Sequence, residues 1–141
     1  MAAIPAFCPT TNYARLSTLA YPTITPTTKT TTAAVTYTAA EILSGFILRD
    51  PNGAARADLF PPAADIIAAI NGCQRYTAFR MVIRNTADAA ETITMTTNTG
   101  LTLSGTLTIA QNAQKEFLFI VTNELPNQEA ITVYNFGSQT F

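Results

Sequence analysis

From Tyr76 onward the side chains recur with a period of two, and this rhythm constrains the fold more than any other feature of the chain. Phe79, Met81 and Ile83 alternate with Arg80, Val82 and Arg84, the pattern of a half-buried strand that turns both arginines to its outer face. Residues 92–96, 101–103 and 107–109 each alternate apolar side chains with threonine, and Gly100 and Ser104-Gly105 separate them. Residues 86–91 form a turn, and residues 111–114 break the pattern. Residues 117–121 are apolar on both faces, which predicts a central strand, and residues 130–136 supply a last one. Short strands with turn signals at this spacing predict a mainly β chain with an antiparallel β sandwich or jelly-roll-like body.

Ahead of these strands the signals are mixed. A short strand over residues 35–38 runs into Thr38-Ala39-Ala40-Glu41, a capping-box spacing that predicts a helix over residues 39–44 ended by Gly45. Residues 46–49 read as a strand, and Asp50-Pro51-Asn52-Gly53 as a turn. Pro61 and Pro62 open a second short helix over residues 63–70, closed by Asn71-Gly72. The body therefore spans residues 35–141, with its helices plugging one end or flanking one sheet.

Residues 1–34 differ in kind. They contain no glycine, four of the eight prolines, and only Arg15 and Lys29 as charges. Seven threonines among residues 23–32 favour extended backbone, as do the prolines. Ile4, Phe7, Tyr13, Leu16, Leu19, Tyr21 and Ile24 are too many large apolar groups for an inert linker. The segment is expected to be an extended arm with Phe7, Tyr13, Leu16, Leu19, Tyr21 and Ile24 as partner-binding anchors. A plain flexible tail is the ordinary alternative.

Charge narrows the partner classes. Charged residues make up 12% of the chain and balance to a net −1, which gives no footprint for duplex nucleic acid or an anionic membrane. So little charge on a chain that is 48% apolar suggests a surface covered by protein neighbours. Arg80 and Arg84 would then meet a partner from the outer sheet face, in preference to stacking and binding single-stranded nucleic acid with Arg75 and Tyr76. The N-terminus lacks the charged and continuous apolar regions of a targeting signal, so the chain is expected to be made and kept in a cytoplasm until release.

Chemistry is sparse. The chain has no histidine, which removes the usual general base and the commonest transition-metal ligand. Ser44 and Ser104 lie in no nucleophile motif, no phosphate-binding glycine pattern occurs, and Cys8 and Cys73 read as two thiols rather than a disulfide framework. Asp50, Asn52, Gly53 and Asp58 offer oxygens for calcium but lack the twelve-residue pattern, and a turn is the simpler account. Asp88 and Glu91 are a carboxylate pair expected to face solvent from a turn, where neither is tuned for glycosidase work. No enzymatic activity, cofactor or metal is expected.

Four blocks resemble a known family. They are Ile47-Leu48-Arg49-Asp50-Pro51-Asn52-Gly53; Ile83-Arg84-Asn85-Thr86-Ala87-Asp88-Ala89-Ala90-Glu91-Thr92-Ile93-Thr94; Leu103-Ser104-Gly105-Thr106 through Ile109-Ala110-Gln111-Asn112; and Val121-Thr122-Asn123 with Glu129-Ala130-Ile131-Thr132-Val133-Tyr134. Together they cover most of residues 45–136, and they resemble the outer-shell decoration or cement proteins of tailed bacteriophages and related viruses. The resemblance implies a virion protein that binds the outside of an assembled capsid and bridges neighbouring capsomers. Its partners would be the major capsid protein and itself, as a dimer or trimer at a local symmetry axis, with no nucleic acid or membrane. The competing expectation is a carbohydrate-binding or adhesin-type β module, which the lack of tryptophan disfavours.

Overall fold

The computed structural model describes residues 24–140. Nine strands and two short helices follow one another as β1 (Thr27–Lys29), α1 (Ala39–Leu43), β2 (Phe46–Arg49), β3 (Arg56–Leu59), α2 (Ala63–Ala69), β4 (Ala78–Asn85), β5 (Ile93–Thr96), β6 (Leu101–Ser104), β7 (Thr108–Ile109), β8 (Ala113–Asn123) and β9 (Ala130–Thr140). The fold is mainly β, with two mixed sheets. One sheet has six strands in the order β1-β2-β4-β8-β9-β6, the other three in the order β3-β5-β7.

The expectation of antiparallel sheets needs correction. β4–β8, β8–β9 and β5–β7 are antiparallel, whereas β1–β2, β2–β4, β6–β9 and β3–β5 are parallel. The reason lies in the path of the chain. From β2 to β8 it steps from one sheet to the other at every connection, so sheet neighbours are separated in sequence by a strand of the other sheet. Such crossovers permit parallel pairing, which a tight hairpin forbids. As the apolar run 117–121 predicts, β8 is central, lying between β4 and β9.

Local chemistry explains the helices. Glu41 N–H donates to Thr38 Oγ1 at 3.3 Å and Thr38 N–H donates to Glu41 Oε2 at 3.0 Å, completing the capping box of α1. Pro62 precedes α2, where its fixed φ suits the helix start. The strand expected over residues 35–38 reduces to a single parallel bridge, Thr36 to Leu59. β8 and β9 extend beyond the expected 117–121 and 130–136, and β3 was not expected at all.

Both sheets contribute to one core. Ile47, Met81, Ile83, Phe117, Phe119, Val121, Ile131 and Val133 of the large sheet meet Ile93, Met95 and Ile109 of the small one, together with Ile42 and Ile66 of the helices. Phe60, just past β3, sets its ring edge-on against Phe117 at 5.3 Å and Phe119 at 5.1 Å. Phe79 stacks on the other side of Phe119 at 4.7 Å. The two Phe60 contacts join the layers where burial is complete, whereas half-buried Phe79 meets Phe119 within the large sheet.

Candidate interaction surface

The large sheet has a second face, turned away from the core. Pairing register places its side chains in rows: Thr28, Leu48, Arg84 and Gln114; then Phe46, Val82 and Glu116; then Arg80, Leu118 and Tyr134; then Ile120 and Thr132. None of these residues is buried, while their sequence neighbours Ile47, Met81, Ile83, Lys115, Phe117, Phe119 and Val133 are. The face mixes apolar side chains with three charged ones, Arg80, Arg84 and Glu116, all on its central strands β4 and β8, and is covered by no described element.

A bulge shapes its far side. Lys115 pairs with Ser138 and Phe117 with Asn135, so β9 carries one residue more than β8 between these pairs. Gly137 absorbs the irregularity at a φ of +105°, and Asn135 Oδ1 accepts from its N–H at 2.8 Å. Phe136 is left 55% exposed and Tyr134 42% exposed. A groove of about 240 Å³ opens beside Phe136, lined also by Val82, Gln114, Glu116, Gly137, Ser138 and Gln139.

The two arginines expected on the outer face are there. Arg80 Nη1 lies 3.1 Å from Glu116 Oε1, and its guanidinium sits 5.1 Å from the Phe136 ring centre. Both members of the pair are well exposed, so it contributes at most about 1 kcal/mol and orients the side chain more than it stabilises the fold. Arg84 is half-buried four residues on, between Leu48 and Gln114. Of the expected arm anchors, Ile24 is 57% exposed. Phe7, Tyr13, Leu16, Leu19 and Tyr21 lie outside the described residues.

A buried polar cluster ties the segment after β1 to the body. Arg49 and Asp58 are fully buried, with Arg49 Nε 2.7 Å from Asp58 Oδ2. Arg49 also donates to the carbonyls of Thr31, Ala33 and Asp50. Asp58 accepts from Val35 N–H at 2.9 Å and from Tyr37 Oη at 3.0 Å. Burial, then the adjacent Asp58 carboxylate, pushes the Tyr37 phenol well above its ordinary range, keeping it a donor. Five residues of the chain between 31 and 37 are therefore held by one ion pair or by the bridge beside it. β1 itself lies within the expected arm, yet it pairs along its length with β2.

The same cluster disposes of the calcium reading, because Asp58 points into the core while Asp50 Oδ1 accepts from Asn52 N–H in a local turn. Glu91 corrects another expectation: it is buried rather than solvent-facing, and its Oε1 accepts from Gly53 N–H at 2.7 Å. Asp88 remains exposed, so the two carboxylates do not share a site. Cys73 is a half-buried thiol, and Cys8 lies outside the described residues. Among the described residues no group of three or more acidic or cysteine side chains could hold a metal ion, and no helix is long and apolar enough to cross a membrane.

Sequence reasoning missed the Arg49–Asp58 pair. A signal existed: in Phe46-Ile47-Leu48-Arg49, Arg49 shares the parity of core-facing Ile47. Comparison with known proteins returns no matching family model, no matching curated protein and no matching solved structure.

Proposed function

We propose that this chain is a non-enzymatic structural protein of a virion, binding the outside of an assembled capsid and cementing neighbouring capsomers through an N-terminal arm and a β-sandwich body. The observation that carries this reading is the outer face of the six-stranded sheet, broad and open, with Phe46, Val82, Leu118, Ile120 and Tyr134 spread among three charged side chains. An enzyme concentrates polar groups in a cleft, whereas a surface that works by contact area spreads apolar groups over an open face. The resemblance of residues 45–136 to decoration proteins supplies the capsid as the partner. Arm and body engaging adjacent sites would raise avidity by roughly 10² to 10⁴ over either alone.

The test is co-sedimentation of the full-length protein with empty shells of the major capsid protein from the same genome. Saturable binding at a fixed ratio to capsid subunits is the expected result, and a failure to bind at micromolar concentration overturns the reading. The arm's share is measured by a chain starting at Ile24, which keeps β1 and every acceptor of Arg49; full occupancy by that chain would show that the arm is not an anchor.

One observation favours a second reading. Phe136 is exposed in a groove that also presents Gln114, Glu116 and Gln139, a combination suited to stacking on a sugar ring and bonding its hydroxyls. Binding on a glycan array, lost in F136A, would favour a carbohydrate-binding module.

A further inference from the structure

The outer face of the large sheet raises the question of what covers it in the free protein. We infer that it is the docking site of this chain's own N-terminal segment, residues 1–23. The inference concerns the free chain and does not rest on the virion reading.

Three observations converge on this occupant. First, the point of entry is right: Thr27 pairs with Ile47, so the chain reaches β1 at the edge of the six-stranded sheet, alongside Phe46 in the outer-face row that continues through Val82 and Glu116. Second, the reach is ample. Six strands spaced about 4.8 Å apart make a face roughly 24 Å across, and an extended chain covers that in about eight residues. Residues 16–23 alone can cross it. Third, the chemistry matches. The segment carries Leu16, Leu19 and Tyr21 close to the point of entry and Phe7 and Tyr13 further out, with Arg15 as its one charge, so laying it on Val82, Leu118, Ile120, Tyr134 and Phe136 removes apolar surface from water on a face where Arg80 already pairs with Glu116.

Covalent connection decides between this segment and the same segment of another copy. A short tether holds its end at an effective concentration in the millimolar range, well above that of a second copy in dilute solution.

The experiment uses the full chain carrying Leu19→benzoylphenylalanine, made in light and heavy isotopic forms, mixed at equal low-micromolar concentration and irradiated. The expected products are cross-links from position 19 to residues of β4, β8 or β9 on the outer face, at least about tenfold more abundant within a chain than between light and heavy chains. Leu118→Asp in the same chain should lower the yield severalfold while leaving the unfolding midpoint within a few degrees. Predominantly mixed light–heavy products would assign the face to a second copy and overturn the inference. Cross-links to the small sheet, or none above the background of the irradiated label, would overturn it too.

Discussion

Arg49 is a cation with no route to solvent, and the arrangement around it decides how the body tolerates change. Its Nε, Nη1 and Nη2 all donate, two of these bonds reaching Asp58 and three reaching backbone carbonyls. A buried pair of this kind adds little over apolar replacements, but breaking it is costly because one charge is left stranded. Asp58→Asn is expected to destabilise the protein by about 3–5 kcal/mol, and Arg49→Met combined with Asp58→Asn by less than the two single changes added together, measured by urea unfolding. Among the described residues Lys115 is the other buried cation, donating to the Thr106 carbonyl. Desolvation by burial lowers its pKa below the ordinary 10.5. The folded state then holds its proton less firmly than the unfolded state, so stability from this group rises with pH between the lowered value and 10.5. The stability difference between Lys115→Met and the parent, followed from pH 7 toward 10, should move in the parent's favour as pH rises. A flat difference would show that Lys115 is not desolvated in solution. Tyr37 works oppositely, its raised pKa giving stability that is lost only above its ordinary value of 10.0, so the two windows are separable.

Elements formed by local rules were legible in the sequence, and elements formed by distant partners were not. The capping box of α1 lies within four residues and is found where the spacing put it. Thr38→Ala should cost about 1 kcal/mol, read from the shift in unfolding midpoint. β3 escaped notice because Arg-Ala-Asp-Leu shows no apolar alternation; it is a strand because Asp58 pairs with Arg49 and because Arg56–Leu59 lies beside Ile93–Thr96. β8 starts earlier than its apolar run because Lys115 turns inward where a charge was not expected. The outer-face positions of Arg80 and Arg84 followed from alternation alone, but the bulge that exposes Phe136 did not, since it depends on register against β8. Gly100 is similar. A side-chain carbon there would lie 2.5 Å from the Glu129 carbonyl oxygen and 2.7 Å from Ala63 Cβ, at a φ of +76°. Gly100→Ala should therefore destabilise by more than the usual cost of about 1 kcal/mol for backbone strain alone, because two segments must also move apart.

For the whole molecule, the two sheets depend on one another through a core whose middle is aromatic. Phe60→Ala removes the ring that touches both Phe117 and Phe119 and should cost about 3–5 kcal/mol by denaturant unfolding, with outer-face function lost only through instability. The path of the chain has a kinetic corollary. Because successive strands from β2 to β8 belong to alternate sheets, the small sheet has all its strands by Ile109, whereas the large one waits for β8 and β9. β8 and β9 alone form an adjacent antiparallel pair from consecutive strands. Pairings between distant segments make for slow, cooperative folding, in milliseconds to seconds for β topologies. Emerging from a ribosome, the chain has the strands of its small sheet early, but the large sheet, and the core the two share, should close only once β9 is released.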